Sequence, residues 1–356
     1  MSSSIKEILS MFDVYTNVEP YGNGHINDTY IAELDQKYIL QKINTGIFKD
    51  PAGLMNNIFA VTEHLRKKIK AAGGNPDRET LTVIKTKNGE NFYKDEYGDC
   101  YRMYKFIENS VSYDAVENPM QLYNAAKAFG KFQRMLADFP AESLHETIPD
   151  FHDTRKRFAQ LEEAVKRDAC GRLAEVEKEV KFAFDRKADT GVIMESIESG
   201  SVPVRVTHND TKLNNVMLDV NTGEGVCVID LDTVMPGSLL FDYGDALRFG
   251  ASSGSEDEQD LSKIYFDLNL FEYFTRGYLE ETKSVMTPRE IELLPFSAKM
   301  LTYECGIRFL TDYLNGDTYF KIHREKHNLD RCRTQFKLVY DIEQKTDEMK
   351  KIINSL

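Results

Sequence analysis

The sequence lacks three features that would each have indicated a particular kind of protein. Its five cysteines include no CxxC pair, so their spacing indicates neither a zinc site nor a redox motif. No run approaches the roughly 18 apolar residues of a membrane span, and no basic segment followed by a long apolar one opens the chain. A basic excess is also missing, since 45 Lys and Arg stand against 58 Asp and Glu. We therefore expect a cytoplasmic protein with reduced cysteines that binds neither nucleic acid nor membranes.

The first part of the chain has the pattern of a small sheet. A chain of 356 residues exceeds one ordinary hydrophobic core, which predicts two lobes. A helix is expected from Pro51 to about Lys70, ended by Gly73 and Gly74. Antiparallel strands are predicted on either side of it, over residues 29–34, 38–43, 81–86, 91–94 and 101–107.

The rest of the chain is mainly helical. One charged amphipathic stretch is predicted over residues 154–189, and short strands return only between residues 204 and 230. The predicted fold class is α+β, with an antiparallel-sheet lobe over residues 1–108 and a helical lobe over residues 109–356. The oligomeric state is left open, with a monomer favoured.

Polar residues cluster in the loops between those short strands. Asp210 and Asn215 lie five positions apart in one loop, and Asp230 ends the next apolar strand. Phosphoryl transfer needs a carboxylate to accept the proton of the attacking hydroxyl, and oxygen ligands for Mg²⁺. We therefore predict Asp210 as the general base and Asn215 and Asp230 as metal ligands.

Each neighbouring polar residue also has a structural explanation, because Asp and Asn often cap helices or close turns. His208 is expected to orient the loop by hydrogen bonding rather than to transfer a proton. Asp232 could bind the metal, contact substrate, or make a structural hydrogen bond near Thr233. Asp242 could cap a helix or brace the catalytic loop from below, and the brace is favoured.

These motifs resemble a known group of enzymes. The HxDxxxxN loop, the ID strand end and the later FDYGD are similar to the aminoglycoside phosphotransferase and choline kinase group of protein-kinase-like folds. Segments along nearly the whole chain resemble the N-acetylhexosamine 1-kinases within it, among them YGNGHIN, YKFIE, RVTHNDTKLNN, IDLDTVMPGS and ECGIRFL. The resemblance implies transfer of phosphate from Mg-ATP to the anomeric hydroxyl of N-acetylglucosamine or N-acetylgalactosamine. It also implies that His25, Arg308 and Tyr319 surround the sugar, with Asp210 as the base.

The nucleotide is expected between a glycine loop and the connection of the two lobes. Gly22 and Gly24 would let backbone amides approach phosphate oxygens, although GxG beside a strand is a weak signal alone. The segment that contains Tyr104, Phe106 and Ile107 resembles the hinge that pairs with adenine, and its alternative is a plain edge strand.

The third strand departs from the kinase pattern, because Gln41 stands where a phosphate-binding lysine is expected. Lys42 should face the opposite side of the sheet. We expect Gln41 to contact phosphate as a neutral donor, which leaves Glu63 only a candidate for the helix carboxylate that normally pairs with that lysine.

Other functions stay open. The core motif specifies phosphoryl transfer without the acceptor, so choline, homoserine or an aminoglycoside are alternatives to a sugar. A catalytically silent nucleotide-binding module and a metal-dependent phosphohydrolase are the alternatives outside kinases.

Overall fold

The computed structural model describes residues 4–22 and 26–356. Its N-terminal part is an antiparallel sheet whose described strands lie in the order β1-β2-β3-β6-β4, with β5 also paired to β6. The strands are β1 (Val18–Pro20), β2 (Asp28–Glu33), β3 (Lys37–Ile43), β4 (Val83–Ile84), β5 (Tyr93–Lys94) and β6 (Cys100–Lys105). The helices of this part are α1 (Ile5–Ser10), α2 (Pro51–Ala71) and α3 (Pro76–Glu79).

Alternation along the strands gives the sheet two different faces. Leu40, Tyr101 and Met103 point to one face and form a small core with Ile8 and Leu9 of α1. A capping box starts that helix, because the Ser4 side chain accepts from the Glu7 amide and the Glu7 side chain accepts from the Ser4 amide. The opposite face, which carries Gln41 and Arg102, points towards the rest of the molecule.

The C-terminal part is built around long helices with short strands between them. Its strands are β7 (Ser110–Val111), β8 (Arg205–Thr207), β9 (Val216–Asp219), β10 (Gly225–Val228) and β11 (Met235–Gly237). Strand β9 lies between β10 and β7, and β11 pairs with β8. The helices are α4 (Pro119–Met135), α5 (Thr154–Arg167), α6 (Glu177–Phe184), α7 (Val192–Glu198), α8 (Leu239–Gly250), α9 (Leu268–Thr282), α10 (Pro288–Leu314) and α11 (His327–Ser355).

The prediction of one helical stretch over residues 154–189 is wrong. Helix α5 ends at Asp168, whose φ of 39° is left-handed, and Gly171 follows with a φ of 64°. The chain then makes 3-10 turns around the short helix α6. Periodicity alone missed these breaks because the charged pattern continues across the left-handed residue.

The predicted α+β fold is confirmed, with a sheet lobe followed by a helical lobe. The larger core runs from α2 across α4 into α8, α10 and α11, so the two lobes pack on each other. The boundary at residue 108 stays a prediction, and just beyond it β7 is already paired with β9 of the helical lobe. None of the helices in the described ranges has both the length and the apolar character needed to cross a membrane.

Candidate active site

The loop between β8 and β9 brings Asp210 and Asn215 together. The Asn215 side-chain amide donates to the Asp210 carbonyl oxygen at 2.8 Å and to Asp210 Oδ2 at 3.1 Å. Lys212 Nζ lies 3.0 Å from the same Oδ2. Burial alone would lower the pKa of Lys212, but the Asp210 carboxylate beside it raises that pKa above its usual value. The Asp210 carboxylate is therefore partly exposed, ionically paired and next to a side-chain amide.

Asp230 lies directly beside this loop. The Ile229 amide donates to the Asn215 carbonyl oxygen at 2.9 Å, which joins the end of β10 to the start of β9. Asp230 follows with a left-handed φ of 58°. Burial, and then the nearby carboxylates of Asp232 and Asp210, raise the pKa of Asp230 to about 6. Asp210, Asn215 and Asp230 thus converge on one place.

His208 fixes the start of the loop by two hydrogen bonds. Its Nδ1 accepts from the Asp210 amide at 3.3 Å, so its Nε2 is the donor to the Ile229 carbonyl oxygen at 2.9 Å. The ring is fully buried, with Phe129 at 5.7 Å between centroids. These contacts are those of a residue that orients the loop, and they use both ring nitrogens.

Asp242, in the first turn of α8, lies beneath the same loop. Its carboxylate accepts from the amides of His208 and Asn209, at 2.9 and 2.7 Å, and from the Gln133 side chain at 2.5 Å. The Thr211 hydroxyl donates to the Asp242 carbonyl oxygen at 2.6 Å. A carboxylate with two backbone amides of one loop is the contact set that a brace requires.

Asp232 joins the two lobes instead of lying free beside Asp230. It forms a buried ion pair with Arg102 of β6, and it accepts from the Asn27 side chain at 2.7 Å. Arg102 Nε in turn donates to Gln41 Oε1 at 3.0 Å. Gln41 donates to Thr29 Oγ1 at 3.1 Å, so both ends of its amide already have partners within the sheet.

Some of the groups that were predicted to contact the nucleotide already have partners within the protein, and others do not. Gly22 has a φ of 74° and open space around it, whereas Gly24 and His25 lie outside the described residues. The Phe106 amide is already bonded to the Lys37 carbonyl oxygen at 3.0 Å. In the part of the chain that is described, the Ile107 amide has no such partner. Tyr104, beneath the Arg102 guanidinium, is buried.

Arg308 and Tyr319 line one cavity of about 480 Å³ between α5 and α10. The Arg308 guanidinium lies 5.6 Å from the ring centroid of Phe151 and 5.5 Å from that of Phe320. Tyr319 is 66% exposed. Asp210 does not line this cavity, so the structure brings Arg308 and Tyr319 together but leaves the general base outside their immediate surroundings.

Comparison with known proteins agrees with this geometry. Residues 17–278 match the model of the phosphotransferase enzyme family (APH). The chain belongs to that family. The predictions of a phosphotransferase and of a protein-kinase-like fold are thereby confirmed.

Solved structures similar to this phosphotransferase include three kinases. An aminoglycoside phosphotransferase from Alicyclobacillus acidocaldarius has a TM-score of 0.62 and 11% identity, over 100% of this chain and 98% of that one. A microcompartment-associated aminopropanol kinase has a TM-score of 0.59 and 12% identity, over 97% of both chains. An amicoumacin kinase, solved with AMP-PNP and Ca²⁺, has a TM-score of 0.57 and 12% identity, over 92% of this chain and 88% of that one. At such identities the likeness shows the fold alone.

The donor set of this phosphotransferase fits a divalent metal that is shared with a nucleotide. Among the described residues, no group of three or more His, Cys, Asp or Glu side chains is arranged to hold an ion alone. Mg²⁺ typically takes one or two protein carboxylates together with phosphate oxygens and water. Within residues 4–22 and 26–356 no group donates a hydrogen bond to the Asp230 carboxylate, so both its oxygens are available for such a metal.

Two charged residues beside the catalytic loop, Lys212 and Arg102, were not predicted from the sequence. Lys212 had a local signal, because it follows Asp210 by two positions in the same loop. Arg102 had none, because its partner Asp232 is 130 positions away. The candidate Glu63 does not reach the site, and its carboxylate lies 3.6 Å from Arg66 Nε on the same helix.

Replacing Asp242 by Asn is expected to loosen the catalytic loop of the phosphotransferase. The amide has only one acceptor oxygen, and its NH₂ group would face one of the two backbone amides of His208 and Asn209. We expect a loss of about 2 kcal/mol in the free energy of unfolding, and lower turnover. Chemical denaturation and steady-state kinetics measure these changes, with Asp347→Asn, at an exposed carboxylate of α11, as the matched control. Stability and turnover equal to those of the control would contradict the brace.

Proposed function

We propose that the protein is an ATP- and Mg²⁺-dependent kinase that phosphorylates the anomeric hydroxyl of N-acetylhexosamines, N-acetylglucosamine and N-acetylgalactosamine. The family supports phosphoryl transfer, and the acceptor is argued from the resemblance described above and from the cavity between α5 and α10.

The charge of the side chains that line this cavity is the observation that supports a neutral acceptor. Three arginines line it, Arg157, Arg167 and Arg308, and none of the three forms an ion pair with a carboxylate of the described residues. Burial, and then the nearby Arg308, lower the pKa of Arg157. The Asp312 carboxylate on the same wall is occupied by backbone amides of residues 318–320 and by Asn328. Glu163 is the other carboxylate of the lining, so three guanidiniums face two carboxylates, and this positive excess disfavours a cationic acceptor.

A neutral sugar suits the same lining. Guanidinium groups donate hydrogen bonds to hydroxyl and acyl oxygens. The aromatic rings of Tyr319 and Phe320 lie 4.8 Å apart between centroids and offer apolar surface to a pyranose ring. The cavity volume of about 480 Å³ lies within the range of small-molecule sites.

A polar layer connects this cavity with the catalytic loop. The Thr211 amide donates to Asp245 Oδ2 at 3.2 Å, and Arg248 Nε donates to Asp245 Oδ1 at 3.1 Å. Arg248 and Arg308 both lie near the buried Cys305 thiol, whose pKa burial raises to about 12 although the two guanidiniums oppose that rise. The cavity and the base therefore lie on two sides of one polar layer within the helical lobe. We propose that the sugar binds at the edge of the cavity beside this layer, with its anomeric hydroxyl towards Asp210.

The chain's own groups then have defined tasks. Asp210 accepts the proton of the anomeric hydroxyl, and Lys212 beside it attracts the transferring phosphate. Asn215 and Asp230 would hold Mg²⁺, and the ion supplies charge neutralisation for the phosphate oxygens when bound. The Ile107 amide, which has no backbone acceptor among the described residues, would bond adenine.

The proposal is tested by ADP release with a panel of acceptors. We expect turnover with N-acetylglucosamine and N-acetylgalactosamine in the presence of Mg²⁺. No turnover is expected with their 1-deoxy analogues, which lack the attacking hydroxyl. Choline, homoserine and an aminoglycoside serve as cationic or amine-bearing controls, and omission of Mg²⁺ tests the metal.

Four results would contradict the proposal. Turnover on the 1-deoxy sugars would show that another hydroxyl is phosphorylated. ADP release with choline, homoserine or the aminoglycoside but with neither sugar would place the chain among the amine kinases. ADP release that needs no acceptor would instead indicate a hydrolase, and none with any acceptor would indicate a silent nucleotide-binding module.

A further inference from the structure

A row of polar side chains crosses the inner face of the small sheet. Thr29, Gln41 and Arg102 are direct cross-strand neighbours on β2, β3 and β6, so their side chains point to the same face. Hydrogen bonds link the three in sequence, and the row ends at Asp232 of the helical lobe. Arg102 is therefore the cation that this face presents nearest to the metal loop.

The other cations of this sheet are engaged elsewhere. Lys42 lies on the opposite face, as strand alternation predicts, and its ammonium is 2.6 Å from Asp99. Lys105 pairs with Asp77 at 3.1 Å. Gln41 is neutral, and its amide is bonded on both sides. Lys37 shares the inner face with Gln41 but lies at the other end of β3, with its ammonium 5.8 Å from the Phe106 ring centroid. Among the described residues of the inner face, Arg102 is thus the cation that lies beside Asp232 and the metal loop.

The Arg102 side chain is buried, and several contacts fix the position of its guanidinium. Its side chain is 1% exposed and that of Asp232 is 5% exposed. The guanidinium stacks over Tyr104 at 5.3 Å and donates from Nε to Gln41. These contacts use Nε and Nη1, and Nη2 has no hydrogen-bond partner within the described ranges of the chain. Asp230, two positions from Asp232, lies close enough for its charge to act on Arg102.

We propose that Arg102 is the phosphate-binding cation of this kinase, supplied from β6 in place of the lysine that protein kinases carry on the third strand, with Asp232 as its carboxylate partner. The usual carboxylate comes from the helix that packs on the sheet, whereas here it comes from the loop that holds the metal ligand Asp230. The proposal rests on the nucleotide half of the proposed function and is independent of the acceptor.

Binding of Mg-ADP without any acceptor, measured by isothermal titration calorimetry, tests the role of Arg102. Arg102→Met alone would leave the buried Asp232 charge unpaired, so the main variant is Arg102→Met with Asp232→Asn, which removes both charges. We expect the double variant to bind Mg-ADP about tenfold to a hundredfold more weakly, the size of a lost charge-assisted contact. Asp232→Asn alone retains the guanidinium and should therefore bind Mg-ADP more tightly than the double variant does, although the buried cation has lost its carboxylate partner.

Two further variants sharpen the result. Gln41→Lys in the double variant returns a cation to the third strand and is expected to recover affinity. Lys42→Met is the matched control on the opposite face and should bind as the unmodified protein does. The proposal is overturned if the double variant keeps its affinity, if Asp232→Asn alone loses as much, or if Gln41→Lys recovers nothing. A failure of the sugar assay would leave all these isotherms unaffected.

Discussion

An Asp210→Asn variant is expected to turn over at least about 10²-fold more slowly while it still binds Mg-ATP. The amide cannot accept the proton of the attacking hydroxyl, but it keeps the shape of the carboxylate and its contact with Asn215. The metal ligands and the hinge are untouched, so the loss should appear in kcat and not in nucleotide affinity. Single-turnover kinetics and calorimetric nucleotide binding separate the two.

The control for this change is Asp347→Asn, which alters an exposed carboxylate on the surface. It should leave both quantities unchanged. If Asp210→Asn retained the turnover of the control, Asp210 would not be the base. If nucleotide binding fell together with turnover, the residue would act through the site's charge.

Asp230→Asn is expected to have an effect of similar size by a different route. Loss of the carboxylate should weaken Mg²⁺ binding and lower turnover at ordinary Mg²⁺ concentrations by about 10² or more, because the charge on the phosphates is no longer neutralised. A Mg²⁺ titration of activity measures this. Full activity at ordinary Mg²⁺ would rule out the ligand assignment.

Asp230→Asn is also expected to change the thermal stability of the protein. The folded state raises the pKa of Asp230 to about 6, first by burial and then by Asp232 and Asp210. Because the folded state raises this pKa, stability falls as the pH rises from the ordinary carboxyl range to about 6, and the whole penalty is present above about 6. Without metal at pH 7 to 8, roughly neutral conditions, Asp230→Asn should therefore melt at a higher temperature than the unmodified protein. A lower melting temperature would show that Asp230 has a stabilising partner instead.

The reactive residues were predictable because they are close in sequence and lie between short strands. Asp210 and Asn215 share one loop, and β9 and β10 are neighbours, so the spacing itself brings Asp230 to the same place. Their side chains then suggested the roles: a carboxylate can accept a proton, and carboxylate and amide oxygens can bind Mg²⁺. The family resemblance predicted that Arg308 and Tyr319 lie together, and both line one cavity; their contact with the acceptor stays a prediction.

Contacts between segments that are far apart in the chain could not be predicted from the sequence in this way. The pairing of Arg102 with Asp232 depends on how the two lobes pack, and neither residue carries a local signal of it. Strands β1 and β11 were also missed, because three residues are too few to show an alternating pattern. The end of α5 at Asp168 was missed because it depends on one left-handed residue.

The short strand β7 determines where the molecule can bend. After β6 the chain is soon hydrogen-bonded to β9, through the pairs Ser110 with Asp219 and Val111 with Leu218. A rotation of the small sheet must therefore turn about a point beside the strand that follows Asn215. Displacement grows with distance from an axis, so the edge of the sheet near Gly22 travels far while Asn215 and its neighbours barely move. We therefore expect a spent nucleotide to leave at that edge, where such a rotation would produce the largest displacement.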